Sequence, residues 1–82
     1  MLFHATASGD ATYGGPSRKV RCLVGLGFTG TLTFADGANT ILIATNPVTG
    51  NLYEFWDIVT AFHVNPSTTT DICVMISGNA VR

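Results

Sequence analysis

Lys19-Val20-Arg21-Cys22-Leu23-Val24-Gly25-Leu26 is the stretch on which the fold turns. Val20, Cys22, Val24 and Leu26 fall on one face of an extended chain, and Lys19, Arg21 and Leu23 on the other. This period-two alternation is what a half-buried β-strand requires. Gly25, Gly27 and Gly30 flank the turn that follows. The next segment, Thr31-Leu32-Thr33-Phe34, alternates again, with Leu32 and Phe34 on one side and the threonines on the other.

Working outward, Asp36-Gly37 with Asn39 predicts a hairpin, because these residues tolerate the positive φ of tight turns. Its partner, Thr40-Ile41-Leu42-Ile43-Ala44, is apolar on both faces, which predicts a central strand or one covered by a neighbour. Asn46-Pro47-Val48-Thr49-Gly50-Asn51 reads as a second turn. Leu52 to Trp56 reads as a strand with Tyr53 and Phe55 on one face and Glu54 and Trp56 on the other. Ile58 to Val64 reads as another, alternating through Thr60 and Phe62. Phe55, Ile58, Val59 and Phe62 also have helical spacing, but the segment is rich in strand formers and carries no capping signal. After the polar loop Asn65 to Thr70, Asp71 to Ser77 forms the last strand. Ile72, Val74 and Ile76 oppose Cys73 and Met75 there.

Upstream, Met1 to Thr6 is a first strand or an arm, and the Gly-rich residues 7–17 are the loosest part. Short strands joined by connections of about 2–6 residues favour antiparallel pairing, because parallel crossovers need a dozen or more. The fold class is therefore all-β: one domain over residues 1–82, a compact antiparallel β-sandwich or small barrel of six to seven short strands. Residues 18–77 form the β core and residues 1–17 an N-terminal arm or loose strand.

Charged residues make up only 11% of the chain, against about 25% in ordinary soluble domains. A chain of 82 residues buries only about 60–65% of the surface its unfolded form exposes. So little charge on so small a core predicts that other protein covers part of the surface. The net charge of −1 gives no drive toward nucleic acid or an anionic membrane. No secretory leader or membrane-length apolar run is read, which places folding in a cytoplasm. Cys22 and Cys73 are either two small buried hydrophobes or a disulfide. Within the chain that disulfide would close a loop of about 50 residues and contribute about 4 kcal/mol in the chain-entropy treatment.

The groups that carry chemistry are sparse. Gly25, Gly27 and Gly30 spell G-x-G-x-x-G, but a strand follows where a dinucleotide site needs a helix. Asp57 and His63 on one strand would lie about 20 Å apart. His4, His63, Cys22 and Cys73 lack the spacing of a metal site. No catalytic residue, cofactor or metal is assigned, and the chain reads as a non-enzyme. Arg18, Lys19 and Arg21 form the only basic cluster, either a solvated strand edge that discourages aggregation or a docking patch for an acidic surface. In Tyr53-Glu54-Phe55-Trp56, one alternate pair fills the core. The other either joins the core as well or serves an interface or a sugar ring, with Tyr53 and Trp56 the candidate contacts.

The order of these segments resembles a known family. Val20 to Gly27, Thr31-Leu32-Thr33-Phe34, the Asp36-Gly37 turn, Ile41-Leu42-Ile43, Pro47 to Gly50, the aromatic strand and Val64 to Ile72 are similar to the small all-β virion proteins of tailed bacteriophages, the capsid decoration or cement type. The resemblance spans residues 18–77 and carries over no binding residue. It implies a homo-oligomer, typically a trimer, made in the host cytoplasm. On the capsid surface it would contact the major capsid protein and reinforce the shell by mass action and avidity. Arg18, Lys19 and Arg21, or an N-terminal arm that orders on docking, would meet the capsid. A fibre, neck or tail component of the virion and a small carbohydrate-binding β module using Trp56 or Tyr53 are the alternatives.

Overall fold

The computed structural model describes residues 2–7 and 9–79, with side chains from 9 to 76. The strands are β1 (Leu2–Ala7), β2 (Ala11–Thr12), β3 (Ser17–Val24), β4 (Thr31–Asp36), β5 (Asn39–Thr45), β6 (Leu52–Ile58), β7 (Phe62–Pro66) and β8 (Thr70–Asn79). Seven have five residues or more, and β2 has two. They form two four-stranded sheets, ordered β1-β8-β3-β6 and β2-β7-β4-β5. Every pairing is antiparallel. The molecule is thus an all-β sandwich, and the strand order, with the chain passing repeatedly between sheets, is that of a jelly roll.

The alternation read in the sequence orients the central strands. Val20, Cys22 and Val24 of β3, Leu32 and Phe34 of β4, Phe62 and Val64 of β7, and Ile72 and Val74 of β8 are all fully buried between the sheets. Phe34 is the middle of this core. Its ring lies 4.9 Å from Phe55 and 5.1 Å from Tyr53, both on the opposite sheet, and 6.0 Å from Phe62 on its own. Tilted and offset contacts at such distances are worth about 0.5–1.5 kcal/mol each beyond the area they bury.

Two expectations are corrected. Thr40 to Ala44 is not a central strand. It lies in β5, at the edge of its sheet, with Ile41, Leu42 and Ile43 exposed. Ile58 to Val64 is not one strand. Ile58 ends β6, Val59 and Thr60 are exposed, and β7 begins at Phe62 in the other sheet. Of the two readings of the N-terminal residues, a strand or an arm, residues 2–7 take the first. β1 runs antiparallel to β8 from Leu2↔Met75 to Ala7↔Thr70, β2 pairs with β7, and Tyr13 enters the core. In addition, Leu26 lies past the end of β3 at Val24 and is exposed.

The break after Ile58 has an identifiable cause. The Asp36 carboxylate, at the end of β4, accepts backbone N–H bonds from Val59 (2.9 Å), Thr60 (2.8 Å) and Ala61 (3.2 Å). Those three donors are satisfied by a side chain instead of a strand neighbour, so the ladder stops and the chain crosses between sheets. Asp36 therefore does more than open the hairpin. The hairpin loop itself is Gly37-Ala38, and Gly37 takes the positive φ of 60° that a two-residue loop needs at its first position. Gly27 serves a different end: a Cβ there would lie 2.8 Å from the backbone nitrogen of Thr49 and 2.9 Å from the Pro47 carbonyl. It lets two loops touch, with its N–H donating to Thr49 Oγ1 at 2.7 Å. The glycine run is thus a loop-packing device leading into β4, with no helix after it to hold a phosphate.

Two expected outcomes follow from this packing. Phe34→Ala should lower the unfolding free energy by about 3–5 kcal/mol, a large part of the total of about 5–15 for a domain, read from urea denaturation. Partial burial acts to raise the Asp36 pKa, but its backbone donors, aided by nearby His63, outweigh this and hold it below the ordinary 3.8. The resulting stabilisation is present above the unfolded pKa and is lost as pH falls through the lower folded one. Asp36→Ala should therefore cost about 2 kcal/mol at neutral pH, and the deficit should shrink in denaturation curves taken toward pH 3.

Candidate functional site

The outer face of the sheet holding β3 and β6 gathers the residues that the sequence singled out. Register pairs Lys19 with Trp56 and Arg21 with Glu54, so directly opposed side chains share that face. Glu54 Oε2 stands 3.0 Å from Arg21 Nε and 3.4 Å from Lys19 Nζ. Lys19 Nζ also lies 5.2 Å from the centre of the Trp56 ring, within cation–π range. Such partly exposed ion pairs contribute only about 0–1 kcal/mol each to stability. Their effect here is positional: one carboxylate holds two cations, and one of those cations steadies the indole.

Of the basic trio, Lys19 and Arg21 thus share a counter-charge, while Arg18 lies beyond it. Arg18, Lys19, Trp56 and Asp57 line an open depression of about 410 Å³. Tyr53 does not join them. It is half-buried on the inner face against Phe34, and its hydroxyl accepts from Asn51 Nδ2 at 3.3 Å. In the aromatic stretch it is Tyr53 and Phe55 that fill the core, leaving Glu54 and Trp56 outside. Trp56 is 59% exposed, unusual for the most costly apolar side chain to leave in water.

Asp57, which the sequence offers only as a distant partner for His63, is the unexpected member. Regular alternation would put Trp56 and Ile58 on one face. Instead Asp57 adopts φ 55°, a left-handed conformation that Asp tolerates better than most residues. The strand changes phase there. Trp56 and Asp57 both face solvent, and Ile58 turns into the core. A strand ending after Trp56, followed by Asp, was the available signal.

The cysteines do not form a disulfide. Both are free thiols. β3 and β8 are neighbours with Cys22 opposite Val74 and Leu23 opposite Cys73. Cys22 therefore points into the core and Cys73 away from it, and adjacent strands cannot bridge side chains on opposite faces. Burial, with a smaller contribution from Cys73, pushes the Cys22 thiol up to about 12, so it stays protonated and inert at neutral pH.

His63 meets Asp10 Oδ1 at 3.3 Å and Thr12 Oγ1 at 3.4 Å, both through Nδ1. A relay needs the base and its orienting carboxylate on different ring nitrogens, so these three residues are not arranged as one. Asp57 lies on the opposite sheet from His63. Among the described residues no group of three or more His, Cys, Asp or Glu is placed to hold a metal ion. The His4 side chain lies outside the described residues. No helix of the described residues is long and apolar enough to cross a membrane.

A thiol reagent applied to the folded protein should label Cys73, which is partly exposed, well before Cys22. Peptide mass mapping before and after denaturation would check this; equal labelling of both in the native state would contradict the buried position of Cys22. Comparison with known proteins adds no relative: no family model matches this chain, and neither does any curated protein or solved structure.

Proposed function

We propose that this chain is a non-enzymatic structural protein of a bacteriophage virion, a capsid decoration protein that self-associates on the head surface and stabilises the shell. The observation that carries the reading is the β5 edge. Asn39-Thr40-Ile41-Leu42-Ile43-Ala44-Thr45 has no charge and no proline, two of the features with which natural proteins blunt an edge strand; a β-bulge is the one it has. One β-bulge interrupts its pairing with β4, between Phe34 and Ala35. Its other side has no strand neighbour among the described residues. Ile43 alone is 57% exposed.

Such an edge offers unpaired backbone groups together with an apolar surface, and a strand from another copy satisfies both. Antiparallel pairing of β5 with itself about Leu42 would set Ile41 against Ile43 and bring no like charges together. Leu26, Val48, Leu52 and Val59 are further exposed apolar residues, consistent with a chain whose surface is partly covered by protein. Jelly rolls serve as viral capsid domains and equally as lectins and cupins. The fold is therefore compatible with this role without choosing it; the low charge and the bare edge favour assembly.

Two measurements test the reading. Ile43→Lys, which adds a charge to a solvent-facing edge position, should reduce the oligomer mass seen by sedimentation while leaving the circular dichroism of the fold intact. A wild-type chain that sediments as a monomer at all concentrations would remove the self-association. Virions stripped of this protein should lose heat and osmotic resistance and regain it when the protein is added back. Unchanged resistance would remove the cementing role, and label at the tail with none over the head would move the protein to a tail or neck position.

A further inference from the structure

The depression beside Trp56 has features that self-association through β5 does not explain. Two consecutive residues from each of two neighbouring strands converge on it, Arg18 and Lys19 from β3 and Trp56 and Asp57 from β6. Ordinary strands present alternate residues to a face. On β6 the pair exists because Asp57 takes a positive φ and shifts the phase of the strand. Irregularities of this kind re-aim side chains and recur beside functional sites. The other described non-glycine residue with positive φ, Asn46, has a structural use, since its Oδ1 accepts the Gly30 N–H at 3.0 Å. The phase shift at Asp57 turns Ile58 into the core, but the side chain itself is uncommitted: among the described residues neither the Asp57 carboxylate nor the Arg18 guanidinium has a hydrogen-bond or ion-pair partner.

We infer that this depression is a carbohydrate site that takes one neutral pyranose ring. The exposed indole of Trp56 is the platform for the apolar C–H face of the sugar. It is held in place before any ligand arrives, with Lys19 over the ring and Glu54 fixing Lys19. Asp57 supplies two acceptor oxygens for adjacent hydroxyls, and Arg18 supplies a planar fork of donors for hydroxyl or ring oxygens. The volume of about 410 Å³ is within the range of small-molecule sites, about 300–1,000 Å³.

Charge selects the class of sugar. Glu54 is shared by Lys19 and Arg21, and the two charges left uncommitted, Arg18 and Asp57, are opposite in sign. The cation nearest the platform is already engaged by Glu54 at 3.4 Å. A phosphate or a sugar acid would meet two carboxylates and only one uncommitted cation, whereas a neutral sugar satisfies donors and acceptors alike. The site lies on the outer face of the β3–β6 sheet, away from the β5 edge of the other sheet, so it stands independently of the assembly role.

The chain contains a single tryptophan, so tryptophan emission, excited selectively over the two tyrosines, reports this site alone. The probes are methyl pyranosides of glucose, galactose, mannose and N-acetylglucosamine, with glucuronate as the acidic comparison. At least one neutral pyranoside should change Trp56 emission saturably. Arg18→Ala and Asp57→Asn should each weaken that binding by roughly tenfold, with unchanged circular dichroism. Asn tolerates the same backbone conformation as Asp, so the second variant removes the charge and keeps the phase shift. The inference is overturned if no neutral pyranoside alters the emission, if glucuronate binds more tightly than all of them, or if both variants titrate like the wild type. Emission that follows protein concentration and ignores every sugar would overturn it too, and would assign Trp56 to a protein contact.

Discussion

Phe34 fastens the two sheets together. Its ring is in contact with Tyr53 and Phe55 from one sheet and with Phe62 from its own, and Phe55 and Phe62 close the cluster at 5.5 Å. A sandwich of this size has few other large residues to place between its layers. Tyr13 and several Val, Leu, Ile and Cys side chains fill the remaining space around the aromatic group. The outward consequence is as important as the inward one. By taking Tyr53 and Phe55 into the core, the cluster turns Glu54 and Trp56 outward. The candidate site is the reverse side of the core packing.

That coupling links stability to surface chemistry. β6 is anchored by Phe55 and Ile58 on one face, so its outer residues are held at fixed positions opposite β3. Glu54 then meets Lys19 and Arg21 by register alone. None of the ion pairs contributes much to folding, yet together they decide which cation is committed and which, Arg18, is left for a ligand. The β5 edge is the complementary case. It contributes Leu42 and Ala44 on the side of Leu32 and Phe34, while its own far edge and Ile43 are left to whatever covers them.

Topology explains why the short connections were a poor guide to neighbours. Only β4 and β5 are both consecutive in the chain and paired in a sheet. All other pairings join distant segments, as β1 with β8 and β2 with β7 do, which raises the mean sequence separation of contacts and slows folding relative to helical domains. The antiparallel sense expected from short links is what forms, but the links account for it only at β4–β5, since every other link joins strands of different sheets. Which strands lie at the edges was not legible, because β5 has the two-faced apolar pattern of a central strand and is an edge strand. An apolar strand looks the same in sequence whether its partner is in the same chain or in another.

By itself the sequence determined the all-β class, the inward faces of β3, β4 and β8, and the hairpin at Gly37. Each follows from local rules: the period of side chains along an extended chain and the conformational freedom of turn residues. It also pointed to Trp56 and the basic residues as surface chemistry. Only the tertiary structure decided that Ile41 to Ile43 are bare, that Cys22 and Cys73 face apart, that Asp36 ends β6 and that Asp57 joins Arg18, Lys19 and Trp56. These depend on cross-strand register and on a single left-handed backbone angle. Both are set by long-range packing, and a linear pattern of residue types does not encode either one locally.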